Sequence, residues 1–97
     1  MAKTSENYEV MYIIDLDQGE EGIAAIVARI KELIEANGTI NELDEWGKRR
    51  MAYMINDKPE GYYVLVKFTS APDFPAELDR ILKITDGVMR SMITVAQ

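Results

Sequence analysis

Lys48, Arg49 and Arg50 stand side by side in a chain whose formal net charge is −6. Three adjacent cations repel one another, so folding alone does not call for such a run. Trp46-Gly47 precedes it, and Met51-Ala52-Tyr53-Met54-Ile55 follows as an apolar, β-favouring segment that places the cations on a strand. The chemistry open to them is the binding of an anionic partner. A second use of the same charges is defensive, because cations on an edge strand keep two sheets from pairing. The sequence leaves both readings standing.

Other chemistry is mostly absent. With neither histidine nor cysteine, the usual nucleophile, acid–base and zinc constellations cannot be assembled. The six glycines are scattered through turns and form no phosphate-cradling loop. Asp15, Asp17, Glu20 and Glu21 gather near a helix start in a way that suits a hard metal ion. An acidic first turn is favoured by the helix dipole without any metal, and that is the simpler account. Glu42, Asp44 and Glu45 read as a solvated edge. These observations point away from an enzyme, a metal site, a cofactor or a small-molecule substrate.

The elements that must carry the cations can be read from length and periodicity. Residues 1–97 suffice for a single domain with a modest core, and 47% hydrophobic with 29% charged residues is a soluble, globular composition. No apolar run approaches a membrane span, the N-terminus lacks a signal-peptide core, and the absence of cysteine gives no hint of an oxidising compartment. The chain therefore reads as cytoplasmic. Residues 1–47 hold eleven acids and three bases, a charge of −8, whereas residues 48–97 hold six acids and eight bases, a charge of +2. Bulk charge opposes non-specific nucleic-acid binding, but the second half has room for a local basic surface.

Residues 1–6 and the last few residues are expected to be mobile. Tyr8 to Ile14 reads as a strand with Tyr8, Val10, Tyr12 and Ile14 on one face and Glu9, Met11 and Ile13 on the other. Asp17 and Glu20 resemble a capping box for a helix whose apolar face is Ile23, Ile26, Val27, Ile30, Leu33 and Ile34, with Asn37-Gly38 as a left-handed stop. A second strand from Ile40 should bulge or bend near Gly47. A hairpin loop over 56–61 leads to a third strand, Tyr62 to Thr69. Pro75 fits the first turn of a shorter helix striped by Phe74, Leu78, Ile81 and Leu82, and Asp86-Gly87 turns into a last strand, Val88 to Val95.

The order β-α-β-β-α-β is the ferredoxin-like plan, an α+β fold with a four-stranded antiparallel sheet and both helices on one face. Its first and third strands are central. The open face is then expected to hold Glu9, Met11, Ile13, Tyr63, Leu65, Lys67, Arg90, Met92 and Thr94, with Lys48, Arg50 and Met54 from the second strand. Nothing in the chain covers this apolar, aromatic and basic surface, and such surfaces mark binding sites. Gly61 to Phe68 is faintly similar to the aromatic third strand of an RNA-recognition motif, but Glu60 and Val64 stand where that signature has a basic and an aromatic residue.

Over essentially its whole length the chain resembles the bacterial small-subunit ribosomal protein S6 family. Tyr8-Glu9, the run Trp46 to Ile55, Gly61-Tyr62-Tyr63 and Asp86-Gly87-Val88-Met89-Arg90 carry the resemblance. In the family signature a basic pair precedes Leu-Ala-Tyr-x-Ile, and Met51 here replaces the leucine, a volume-conserving change. The resemblance implies a non-enzymatic protein in the ribosome, bound to the central domain of small-subunit ribosomal RNA beside the platform. It also implies a heterodimer with the basic ribosomal protein S18, on which an acidic protein can lean. Carried over by position, Lys48, Arg49, Arg50 and Arg90 are the phosphate- or partner-facing cations, with Tyr8, Tyr53 and Tyr63 at the edge of the same surface. The chain stops at Gln97, with little or none of the tail many relatives carry, so no tail contact is inferred. The competing reading is a ferredoxin-like regulatory domain that binds a small molecule, and it requires a pocket with converging polar groups.

Overall fold

Every second side chain of Glu6–Ile14 (β1), namely Tyr8, Val10, Tyr12 and Ile14, is buried, an arrangement that a pleated strand imposes. The computed structural model describes residues 5–55 and 58–95, and of residues 52–55 the backbone alone. After β1 come the helix Gly19–Asn37 (α1), the strands Gly38–Ile55 (β2) and Lys58–Ser70 (β3), the helix Phe74–Ile84 (α2) and the strand Val88–Val95 (β4). The strands form one antiparallel sheet in the order β2-β3-β1-β4, which is the expected ferredoxin-like topology with β1 and β3 inside.

One face of the sheet is sealed by the helices. Tyr8, Val10, Tyr12 and Ile14 of β1 and Val64, Val66 and Phe68 of β3 pack with Ile26, Val27, Ile30 and Ile34 of α1 and Phe74, Leu78 and Leu82 of α2. Phe68 lies 5.7 Å from the Tyr8 ring and meets Phe74 edge-on at 6.0 Å. Each fully buried aliphatic side chain in such a core contributes about 1.5–3 kcal/mol. Pro75 occupies the first turn of α2, as its missing N–H allows.

Four expectations need correction. Glu6 already pairs with Ser70, so β1 begins inside the segment expected to be mobile; residues 1–4 and 96–97, on which the rest of that expectation falls, lie outside the described residues. Of the expected loop over 56–61, Asn56 and Asp57 also lie outside them, and Lys58 to Gly61 belong to β3. The Asp17–Glu20 capping box does not form. Asp15 instead accepts the Asp17 N–H at 2.9 Å, closing a 3-10 turn over Leu16–Gln18 before α1 starts. Gly38 is not left-handed either, with φ −177°. Asn37 turns its side-chain amide back to the Leu33 carbonyl at 2.9 Å, and the chain goes straight into β2.

Gly38 is required for another reason. A Cβ there would collide with the Thr69 carbonyl oxygen of β3. Gly38→Ala should therefore cost about 1–3 kcal/mol through overpacking, read as a lower denaturant midpoint at unchanged slope.

Lys58, the first residue of β3, ties the far end of the β2–β3 hairpin to the loop after β1. Its Nζ lies 2.5 Å from Oδ2 of Asp15 and 2.5 Å from Oδ2 of Asp17. The hydrogen bond from Lys58, helped by the Asp17 N–H, holds the Asp15 carboxyl below its ordinary range, and the two carboxylates raise Lys58. The Asp15 contribution is thus present above the unfolded carboxyl value of about 3.9 and fades as pH falls through the lowered folded value. The Lys58 contribution is complete below about 10.4 and fades as pH rises through the raised one. Lys58→Met should be less stable than the parent at neutral pH, by a small margin because water screens the pair. Urea midpoints compared across pH should show the gap closing at both extremes; a constant gap would mean that packing, not charge, is lost.

Candidate nucleic-acid interface

Antiparallel register sets the open face residue by residue, since opposite partners share a side of the sheet. Read across β2, β3, β1 and β4, three rows result: Glu42, Lys67, Glu9 and Thr94; then Asp44, Leu65, Met11 and Met92; then Gly47, Tyr63, Ile13 and Arg90. The nine residues expected there from β1, β3 and β4 are all in place. Leu65 and Ile13 are almost closed off by their neighbours, whereas Met92 remains 52% exposed. A depression of about 190 Å³ lies over Met11, Ile13, Tyr63, Arg90 and Met92.

Strand β2 departs from expectation because of its bulge. Glu45 opposes Val64 and Gly47 opposes Tyr63, leaving Trp46 as the extra residue, with Gly47 at φ +82°. The expected bend at Gly47 is there, and its consequence is a change of phase. Lys48 now opposes Tyr62 and Arg50 opposes Glu60, so both fall on the helix side and not on the open face. Lys48 reaches Glu60 at 3.7 Å. Arg49 takes the open side, its guanidinium carbon 5.2 Å from the centre of the Trp46 ring, and Trp46 lies parallel to Tyr63 at 6.3 Å. Counting straight through the bulge misses both Arg49's side and the part played by Trp46; the signal was the Trp46-Gly47 pair itself.

The remaining candidates divide. Tyr63 and Arg90 share the third row with Ile13. Lys67 lies between Glu9 and Glu42, 4.0 Å from the latter, and adds no net positive charge there. Tyr8 is buried on the helix side against Phe68, away from the open surface, because it falls in the core phase of β1. The side chains of Tyr53 and Met54 lie outside the described residues. Since β1 pairs with β3 only as far as Tyr62, the residues Arg49 and Arg50 sit on a two-stranded arm beyond the four-stranded part. The face therefore runs from a carboxylate end, through an apolar middle, to an aromatic and cationic end.

The competing small-molecule reading finds a groove of about 500 Å³ on the helix side, lined by Leu16, Glu20, Ile23, Glu45, Lys48 and Tyr62. Three of its polar groups are already engaged: Tyr62 donates to Glu45 at 3.0 Å, and Lys48 faces Glu60. Burial and then Glu45 push the Tyr62 phenol up, keeping it a donor. Beneath it the buried Tyr12 hydroxyl has no partner among the described residues, and burial raises its pKa strongly. Among the described residues no three side chains gather to hold a metal ion, and Asp15 and Asp17 serve Lys58. No described helix is long and apolar enough to cross a membrane.

Residues 7–95 match the ribosomal protein S6 family. Small ribosomal subunit protein bS6 of Caldanaerobacter subterraneus subsp. tengcongensis is 50% identical over 88 residues, covering 90% of this chain and 93% of the relative. The bS6 protein of Clostridioides difficile is 46% identical over 90 residues, covering 93% and 98%. The crystal structure of 30S ribosomal protein S6 from Thermotoga maritima superposes with a TM-score of 0.89 at 29% identity, covering 95% of this chain and 88% of that one. The C-terminal domain of the MgtC protein from Mycobacterium tuberculosis, at TM-score 0.58 and 13% identity, shares the fold alone. A family match spanning the whole sheet and both helices, joined to near-half identity with its bacterial members, means that the chain belongs to the ribosomal protein S6 family of non-enzymatic small-ribosomal-subunit constituents.

Proposed function

We propose that this small-subunit constituent, which works within the cytoplasmic ribosome, binds the central domain of small-subunit ribosomal RNA jointly with ribosomal protein S18, as a heterodimer. The observation that carries the proposal is the charge gradient along the open face. Glu9 and Glu42 flank Lys67 at one end, and Arg90, Arg49 and the Trp46–Tyr63 stack occupy the other, with the Trp46 indole N–H donating to Asp44 at 3.0 Å. Phosphates are attracted to the cationic end alone, and the carboxylate end calls for a basic protein. Arg49 and Arg50 on the arm, Lys48 at its root and Arg90 are the cations that would meet RNA, with the aromatic stack beside them.

With these four cations counted the chain still carries a net charge of −6, so the isolated chain should retain ribosomal RNA poorly on a filter. Adding S18 should raise retention well above that of either protein singly, by pooling positive charge in one complex. Equal retention by this chain alone would remove the argument for joint binding.

Arg49 and Arg50 are exposed, and each can be tested without disturbing the core. Arg50→Ala should change stability by no more than about 0.5 kcal/mol. Arg49→Ala should cost about 0.5–1 kcal/mol, the value of an exposed cation–π contact. If each touches a phosphate in the complex, each loss lowers the salt slope of RNA binding by about one. A weakened heterodimer with an unchanged slope would assign the pair to the protein partner, and self-association with both binding steps intact would leave them as edge guards.

A further inference from the structure

The two edges of the sheet are built in opposite ways. The β2 edge carries Glu42, Asp44, Glu45, Lys48, Arg49 and Arg50 within nine residues and is broken by register shifts after Ile40 and after Glu45. Charges and bulges of this kind keep a foreign strand away. The β4 edge has little of either, its one register irregularity being confined to its start at Val88 and Met89. Arg90 is its sole charge, it contains no proline or glycine, and Arg90 to Val95 pair with β1 in unbroken register. Met92 and Val95 are 52% and 57% exposed. An edge strand with outward N–H and C=O groups and no such guard is a template for one more strand.

The surroundings of β4 fit an added strand on both sides. On the helix side, two depressions of about 390 and 250 Å³ share Lys83 and Ser91 and so make one trough between β4 and α2 along the strand. Lys83 lies 2.8 Å from Asp79 and the Ser91 hydroxyl 3.5 Å from the same carboxylate, Arg90 stands at one end, and Pro75, Ala76, Leu82, Val88 and Ile93 give the trough walls that suit apolar side chains. On the open side, the depression over Met11, Ile13 and Met92 adjoins the same edge. Alternate side chains of an added strand would enter these two places in turn. A second copy of this chain is opposed by its charge, because pairing sets −6 against −6. We infer that the β4 edge receives an extended, apolar-alternating segment of a basic protein partner by strand addition. The identity of that partner as S18 rests on the function proposed above; the edge geometry does not.

Residue-resolved amide exchange on the full chain, alone and with an equimolar amount of S18, tests this. In the complex, the alternate β4 amides that point away from β1 should slow by at least about 100-fold, an effect of new backbone hydrogen bonds. In the chain alone they should stay fast at every concentration. Val95→Lys should keep the thermal midpoint and weaken the heterodimer at least about tenfold, whereas Thr39→Lys at the β2 edge should leave it within about twofold. Co-elution with S18 while the outward β4 amides stay fast overturns strand addition and leaves the heterodimer standing. Protection that grows with concentration of the chain alone overturns the basic partner in favour of a second copy. Failure of S18 to co-elute overturns the heterodimer itself, and with it the assignment of the edge to that partner.

Discussion

A one-residue slip between β1 and β3 would invert one of the two strands, either turning Val10 and Tyr12 outward with Glu9 and Met11 beneath the helices, or turning Val66 and Phe68 outward with Lys67 and Tyr63 beneath them. Burying the Glu9 or the Lys67 charge would cost several kcal/mol, and the aromatic packing of Tyr8, Phe68 and Phe74 would be lost. Because both central strands are packed on the helix side, their register admits one solution. The remainder of the sheet is referred to it, since β2 hangs on β3 and β4 on β1. The composition of the open face is thus dictated by the closed one.

Strand β2 is where that dictation is revised. The extra residue at Trp46 reverses the phase of the strand beyond it, lifting Arg49 onto the aromatic stack and sending Lys48 and Arg50 to the other side. The three consecutive cations are thereby divided between two surfaces, which lowers their mutual repulsion and presents positive charge around the arm. Lys58, held by Asp15 and Asp17, ties the returning strand of that arm to the body. An arm of two strands by itself is marginal. A clasp near its far end and a stack at its root are what keep the cations at a defined place.

The central strands, the α1 stripe and the extent of β4 were legible in the sequence because each obeys a single period against one buried face. The positions of Glu9, Met11, Ile13, Tyr63, Leu65, Lys67, Arg90, Met92 and Thr94 came from alternation alone. Failures cluster where tertiary contact replaces local rule. Asn37-Gly38 has the composition of a left-handed cap, yet Gly38 is there to let β2 approach Thr69. Asp17 stands where a capping residue should, yet Asp15 closes the turn and both carboxylates answer to Lys58, far along the chain. Gly47 announced a bend, but which side the next cation takes depends on pairing with β3, and no count along one strand contains that. Tyr8 carried two expectations, core and surface edge; its phase in β1 settles it as core.

The acidic total then has a structural sense. A protein that binds nucleic acid by bulk charge can spread its cations, and their placement matters little. Here few cations are available, and on the open face Arg49 and Arg90 stand at one end while Lys67 at the other is held between Glu9 and Glu42. Attraction to phosphate is therefore directional, because the same molecule repels it at the far end. An edge guarded by charge on the cationic side of the molecule and an unguarded edge on the opposite side of the sheet divide its surface again, along a second direction. Two such asymmetries in one small sheet fix an orientation rather than a mere affinity, which is what a building part of a larger assembly needs and what a freely diffusing binder does not.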